Sequence, residues 1–519
     1  MEPDPKNSDK ALYQELRTLS WSRLWNEEAD RFNEASPEER KKTLAIIRAV
    51  GVVFSESGPI SQQKEVRQWL RGLLRDPQEK IRRYAMNALP KIGAGAKEEA
   101  DLLALFEKTE GEREKKFLGK ALDKIGGAAT LASLNARGDF PVLTEQKVKA
   151  SIARAENPGA VRLDRALADF ADLRIHLHTR QGLEEILRDE AAEAIRKHGK
   201  FKITAATSGL VTMTPSAPFS LADIYALRCF GTLGLVVGAG IPANPKDLAA
   251  LITSPLSRRV LQAFTEGPIR YRLEFIGKGH QRGAIREVVS AVYALCPDIL
   301  NDARSAPWAI EIHPGESGDT VELRPRLSPD PRFAYRQQDV PAASHPPLAA
   351  AMARLAGDGK NEIVWDPFCG SGLELIERAV RGGVKKLYGT DLSDAAISIT
   401  QMNLSAAKMD AIPAKLVRAD FRNFSSIAGL EANSVTLIVT NPPMGKRVPI
   451  ADLDVLMRDL FVIAARVLKP GGRLIFPNPL PVQSLPPSLQ LRSRQLVDLG
   501  GFDCQLEVYQ KHAPIPPKK

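Results

Sequence analysis

Through the first 160 residues apolar positions recur at intervals of three and four, the spacing of one helix face. The clearest stretch opens at Asp76-Pro77, carries Ile81, Ala85, Ala88 and Leu89, and stops at Ile92-Gly93. It echoes 33 residues further on, where Ile125 and Gly126 follow Phe117, Leu118, Ala121 and Leu122, and more weakly at Leu44 to Gly51. A short helical solenoid and a plain helical bundle both fit so few copies. The pattern changes after Asn157-Pro158-Gly159. From about 172 to 335, β-type runs at 175–179, 269–275, 308–312 and 320–323 alternate with helical stretches opening at Gly182 and Ala284, a mixed order that predicts an α+β module. Asp330 to Pro347, rich in proline and polar residues, reads as a linker. The last third alternates strand and helix regularly. Strands are expected at 362–366, 386–391, 414–420, 435–441, 472–477 and 502–509, with helices at about 372–381, 394–408 and 452–468. Such alternation predicts a mainly parallel sheet covered on both faces, with ligands at the carboxyl ends of its strands.

Composition narrows this only a little. A chain of 519 residues exceeds one ordinary core, so two to four domains are expected. No run of eighteen apolar residues is present, and the opening MEPDPKNSDK has no apolar h-region. Cys229, Cys296, Cys369 and Cys504 are scattered without paired spacing, which fits a reducing cytoplasm. The seven histidines show no HExxH or similar ligand spacing, so no metal site is expected. A formal charge of +10 is compatible with simple solubility or with a polyanionic partner.

Chemistry concentrates at the ends of the late strands. Trp365-Asp366-Pro367-Phe368-Cys369-Gly370-Ser371-Gly372 follows the first of them and opens a helix. Gly370 and Gly372 allow a sharp turn and close approach of a ligand, and Asp366 is placed to accept from the ammonium of an amino-acid moiety. Without GxxxxGK[ST], a nucleoside triphosphate is not indicated. Asp391 ends the second strand, where an acid can take both ribose hydroxyls, while Ser393 or Asp394 is better placed to cap the next helix. Asp420 could accept from an adenine amine or be an ordinary strand-end turn residue. The sharpest signal is Thr440-Asn441-Pro442-Pro443-Met444-Gly445, at the end of the fourth strand. Two prolines fix the backbone, so the Asn441 side-chain oxygen and the Pro442 carbonyl can converge on one planar amine. They draw its hydrogens out of conjugation and turn its lone pair toward a methyl donor.

These motifs resemble those of RNA guanine-N2 methyltransferases that carry a THUMP domain. Residues 366–372 look like that family's cofactor loop and Thr440 to Gly445 like its catalytic loop. Ser344-His345-Pro346-Pro347 resembles the helix entry before the methyltransferase fold, and Thr179 to Leu187 the start of its ferredoxin-like and THUMP region. The resemblance covers about 170 to 519. It implies S-adenosylmethionine as cofactor, held by Asp366, Phe368, Gly370, Gly372, Asp391, Leu392, Asp420 and Phe421. It implies catalysis by Asn441, Pro442, Pro443 and Met444 on structured RNA, tRNA or rRNA. The basic clusters Lys278–Arg282 and Lys446-Arg447 are candidate RNA contacts or solvated turns. Separately, 76–93 resembles half of a HEAT repeat.

The resulting expectation is a multidomain chain: an all-α HEAT-like domain over 1–160, an α+β THUMP-like RNA-binding domain over 170–335, and an α/β Rossmann-like class I methyltransferase domain over 340–519. The helical domain is a candidate for docking RNA or a protein partner. Three departures stand out. Met444 replaces the usual aromatic, leaving Phe421 or Phe424 to supply a stacking face. Leu373 stands where threonine is common, and the chain ends with little room for a seventh strand. Methylation of adenine or of a protein glutamine, and a non-catalytic assembly factor that keeps the fold, are the alternatives.

Overall fold

The computed structural model describes residues 5–93, 95–136, 142–242, 244–279, 281–341, 343–445, 450–481 and 485–512. Its contacts divide the chain into two compact units, Met1–Ala160 with Gly240–Asp319, and Val161–Ala239 with Thr320–Lys519. The division cuts across the segment 170–335. Having left the first unit after Ala160, the chain re-enters it at the end of strand Thr232–Ile241 and leaves it again at the start of strand Asp319–Pro325.

In the first unit, helices Ala45–Ser57, Glu79–Ala88, Glu112–Ile125 and Val142–Glu156 pack each on the next. Gln63–Leu73, Ala96–Lys108 and Ala128–Ala136 pair with the helix that follows each. The stripe read from the sequence is the buried one: Ile81, Ala85, Ala88 and Leu89 lie in the core. Gly51 lets two helices close up, since a Cβ there would stand 2.9 Å from the Ala88 Cβ. Ion pairs step along the stack, with Arg40–Asp76 at 2.9 Å, Arg71–Asp101 at 2.5 Å and Arg82–Glu114 at 2.6 Å. The same unit contains a parallel trio in which Ile269–Phe275 lies between Ile299–Asn301 and Trp308–His313. Asp302, buried beside it, takes both Arg154 at 2.8 Å and the fully buried Arg270 at 2.5 Å. A buried carboxylate needs such partners to stay in place.

Besides the short antiparallel pair Ala166–Leu167 with Phe219–Ser220, the second unit holds two larger arrays of strands. In one, Asp319–Pro325, Thr232–Ile241, Arg174–His178, Leu210–Pro215 and Phe201–Thr207 are neighbours in that order. Arg174–His178 runs antiparallel to both of its neighbours, and Phe201–Thr207 to Leu210–Pro215. The other sheet has seven strands: β1 (Glu362–Asp366), β2 (Val384–Asp391), β3 (Ala414–Arg418), β4 (Val435–Val439), β5 (Leu468–Asn478), β6 (Leu489–Asp498) and β7 (Asp503–Lys511). Their order is β3-β2-β1-β4-β5-β7-β6, with the first five parallel and β7 antiparallel to both β5 and β6. Helices α1 (Pro346–Leu355), α2 (Leu373–Val380), α3 (Asp394–Ala406) and α4 (Leu453–Val467) accompany it. The central strands read as unbroken apolar runs because both faces are covered: Leu437, Ile438, Val439, Leu474, Ile475 and Phe476 are all buried. Inside this layer the Glu362–Arg378 pair is buried, with Nε donating at 2.7 Å.

Two expectations need correction. The seventh strand is present, because Leu489–Asp498 forms β6 at the sheet edge. Its run Leu-Gln-Leu-Arg-Ser-Arg-Gln is polar, as an edge strand with one partner tolerates, and so lacks the apolar signature of its neighbours. Nor is Asp330–Pro347 a linker. Asp330 caps a short 3-10 turn, and Arg332, Phe333 and Tyr335 are buried. The Arg332 guanidinium donates to the Phe230 carbonyl at 2.7 Å and lies 3.8 Å above the Phe230 ring. The Tyr335 hydroxyl donates to Glu377 at 2.5 Å. Charged residues with all donors met can be buried, and a sequence does not show who meets them.

Candidate functional site

The carboxyl ends of β1, β2 and β4 converge on a cavity of about 1230 Å³ within the second unit. Pro367 to Ser371, the turn leaving β1, forms one wall. Left-handed backbone is required at Gly370 in that wall, φ +51°, and at Gly372, φ +81°, which caps α2 just behind it and is not in the lining. A Cβ on Gly372 would also stand 2.8 Å from the Thr400 methyl. Thr400 closes the turn from α3, its hydroxyl donating to the Gly370 carbonyl at 2.9 Å. It supplies a hydroxyl at the turn where Leu373, fully buried, cannot.

Asp391 stands at the end of β2 on the cavity wall and steadies the turn, accepting from Gly370 N at 3.1 Å and Ser393 N at 3.0 Å. The cap of α3 is Ser393, whose hydroxyl accepts from Ala396 N. Leu392 lines the cavity with its side chain largely exposed (68%). Phe368 and Phe421 pack against each other in the lining, ring centroids 4.9 Å apart and planes tilted by 55°. Asp420 also lines it, its carboxylate held by Arg422 through the backbone N at 2.9 Å and the guanidinium at 3.0 Å.

Asp366 sits below this wall, fully buried and outside the lining. Its Oδ1 accepts from Thr440 Oγ1 at 2.5 Å and Phe368 N at 3.0 Å, so it ties the β1 turn to the residue before Asn441. Burial, reinforced by the nearby Glu374 carboxyl, pushes Asp366 well above the usual carboxylate range. Glu374 is raised too, by burial.

Asn441 to Met444 follow β4 and line the same cavity. Asn441 Nδ2 donates to Ser344 Oγ at 2.7 Å, and Ser344 Oγ in turn donates to Glu374. Asn441 Oδ1 is left with no partner among the described residues. An unpaired buried acceptor costs roughly 1–3 kcal/mol, so this amide is held ready for a donor that the site itself does not contain. Met444 packs by its sulfur, accepting from the Cys504 thiol at 3.6 Å, which burial keeps protonated with its pKa pushed up to about 12.

Sequence reasoning missed Ser344 and Glu374, separated by 30 positions and joined only by folding. It also missed Phe502 and Leu499, which the β6–β7 hairpin brings into the lining, and Arg180 and Arg336, which line the same cavity. The Arg180 guanidinium donates to the Asp498 carbonyl at 3.3 Å, and Arg336 pairs with Asp339. Phe424, offered above as a second stacking face, is buried away from the cavity under Arg466. Lys278 and Arg282 belong to the first unit. Lys278 lies 3.8 Å from Asp319, and Arg282 opens helix Arg282–Leu295. Lys446 and Arg447 lie outside the described residues.

Residues 334–479 match the family described as RMKL-like, methyltransferase domain. Over 171 residues, 32% of this chain, it is 31% identical to the tRNA (guanine(6)-N2)-methyltransferase of Thermus thermophilus, covering 49% of that protein. Over 132 residues, 25% of this chain, it is 32% identical to "Probable tRNA (guanine(10)-N2)-dimethyltransferase" of Methanothermococcus thermolithotrophicus, covering 77% of that relative. The chain thus spans about half the length of the Thermus relative. The crystal structure of TrmN from Thermus thermophilus superposes with a TM-score of 0.51, covering 65% of this chain and 99% of that one at 22% identity, a likeness of fold.

Proposed function

We propose that this chain, which belongs to the guanine-N2 methyltransferase family, methylates the exocyclic N2 amine of a guanosine in structured RNA, either tRNA or rRNA. One observation carries the reading: at the end of β4 the Asn441 amide is anchored through its nitrogen and offers a partnerless oxygen. An amine lone pair conjugated with a purine ring is a poor nucleophile. Two acceptors, Asn441 Oδ1 and the Pro442 carbonyl, draw its hydrogens out of the ring plane and free that lone pair. As the N–C bond forms the amine becomes cationic, and it then loses a proton to solvent. No strong base is needed.

The residues present fit S-adenosylmethionine. The Gly370–Gly372 turn admits close backbone approach, the Asp391 carboxylate suits a ribose diol, and Phe368 and Phe421 suit an adenine face. When bound, this cofactor supplies an electrophilic methyl on a sulfonium, whose charge is discharged on transfer. Asp420 is available to the adenine amine. Asp366 serves here through the Thr440 link that orients Asn441.

Met444 in place of an aromatic is the observation favouring the non-catalytic alternative, an RNA-binding assembly factor. Against it, Phe502 offers an aromatic ring in the same cavity. The stacked helix pairs support a HEAT-like reading of 1–160 as a docking surface for RNA or a protein. Lys278 and Arg282 support a THUMP-like, RNA-binding reading of 170–335, and residues 340–519 form the catalytic domain. Incubation with cofactor and total RNA, followed by mass analysis of nucleosides, should yield N2-methylguanosine. N6-methyladenosine would replace the substrate, and no new nucleoside despite cofactor binding would favour the assembly factor.

A further inference from the structure

A second constellation lies in the antiparallel sheet, and none of its members lines the cavity. His176 and His178 are two apart on strand Arg174–His178, so both project from one face. The neighbouring strand places Gly234 directly opposite His176. Beyond it, Glu322 of strand Asp319–Pro325 extends over that glycine, and a Cβ at 234 would stand 1.9 Å from Glu322 Oε2. Glycine is therefore required there for the carboxylate to reach the histidines. Glu322 Oε1 lies 2.6 Å from His176 Nδ1 and Oε2 lies 2.7 Å from His178 Nε2, with the Glu322 side chain 2% exposed.

We infer that His176, His178 and Glu322 form a binding site for a divalent transition metal of the zinc class. The three donor atoms lie within 4.8 Å of one another. A zinc tetrahedron with ligands at about 2.0–2.2 Å has an edge of roughly 3.4 Å, within reach of side-chain rotation alone. Two imidazoles with one carboxylate select zinc, cobalt or nickel over magnesium and calcium, which favour all-oxygen shells. Three ligands leave a fourth position for water, and the side chains of His176 and His178, 15% and 27% exposed, leave a path for entry. Each donor is fixed on a strand, so little order remains to be gained on binding. A metal here pins strands that are not consecutive in sequence. The inference stands independently of the proposed methyl transfer.

The test is zinc titration of the chelator-stripped full chain, read by elemental analysis and by competition with a chromophoric chelator. We expect one zinc per chain, release of protons on binding, and a raised thermal midpoint. His176→Ala and His178→Ala should each weaken binding roughly tenfold or more, a loss at least as large as outer-shell changes cause. Should a variant fail to fold, cobalt bound to the unmodified protein provides a second readout: four-coordinate visible bands and an X-ray absorption pattern containing two imidazoles. Stoichiometric zinc with imidazole ligation supports the site. If the unmodified chain takes up no more zinc than a chain carrying both His176→Ala and His178→Ala, or bound cobalt shows no imidazole, the cluster is a hydrogen-bonded ion network and the inference is overturned.

Discussion

At the level of single residues, the site depends on which atom of an amide is left over. Asn441 was legible in the sequence because Asn-Pro-Pro at a strand end has few other uses. Its anchor was not, because Ser344 was readable only as part of a helix entry and Glu374 only as a helix position. The same holds for His176 and His178. A His-x-His pair on a strand points two rings one way, but the third ligand comes from a strand more than 140 positions away. Removing the acceptor with Asn441→Ala should abolish methyl transfer while cofactor affinity, read by calorimetry, stays unchanged. Ser344→Ala should be milder. Freed from its anchor, the amide can rotate, and single-turnover rates should fall about tenfold, the loss of one positioning hydrogen bond of ~1.4 kcal/mol, with substrate affinity retained. Full activity in Asn441→Ala would remove the proposed mechanism. Asp391→Ala should weaken cofactor binding by about 1–3 kcal/mol, since it deletes a charged acceptor. Met444 offers no broad face, so Phe502→Ala should cost about 1–3 kcal/mol in kcat/KM if that ring stacks on the base. Met444→Tyr should leave the rate unchanged or raise it. A loss in Met444→Tyr with none in Phe502→Ala would place the base elsewhere.

Elements were legible in proportion to their burial. β1 was read to the residue, and β2, β4 and β5 within a few positions, because runs such as Ile438-Val439 have nowhere to go but a covered sheet. β6 was not legible, because an edge strand with alternating polar residues resembles a loop. Asp330–Tyr335 was misread because proline and charge signal exposure unless every charge finds a partner. The glycine turn between β1 and α2 lies between these extremes. Its glycines were evident, but the reason for each lies in the fold. Gly372 combines a left-handed backbone with contact against Thr400, whereas Gly382 has nearly the same φ, +82°, with nothing within 4 Å of a Cβ. Gly382→Ala should therefore carry only the backbone cost of about 1–2 kcal/mol. Gly372→Ala should cost more in urea unfolding, by roughly 1–3 kcal/mol for the added overpacking. Thr400→Ser in the Gly372→Ala background should recover part of the difference, because it removes the methyl and keeps the hydroxyl that bonds Gly370. Equal losses in the two alanine variants would mean that the Thr400 contact is relieved without cost.

For the whole molecule, the three-part reading followed changes of pattern along the chain, whereas the compact units follow its path in space. The chain goes back to the first unit at Gly240 and returns to the second at Thr320, which no local composition shift announces. Among the described residues no helix is long and apolar enough to cross a membrane. The net charge of +10 is spread over both units, which suits a partner met through many phosphates rather than one pocket. Binding of a folded tRNA should then weaken as salt rises, with a log–log slope that counts the phosphates neutralised, about 0.9 per contact on a duplex and about 0.7 on a single strand. The candidate contacts should not contribute equally. Lys278 lies 3.8 Å from the Asp319 carboxylate, so part of its field is already compensated. Among the described residues the Arg282 side chain has no ion-pair or hydrogen-bond partner, and the first turn of its helix holds no acid. Arg282→Gln should accordingly reduce the slope by about one phosphate's worth, roughly 0.7–0.9, and Lys278→Gln by less. Asp319→Asn should strengthen binding slightly, by releasing Lys278. Fluorescence anisotropy across a salt series measures all three, and identical slopes for Arg282→Gln and the unmodified chain would exclude this face from the RNA contact.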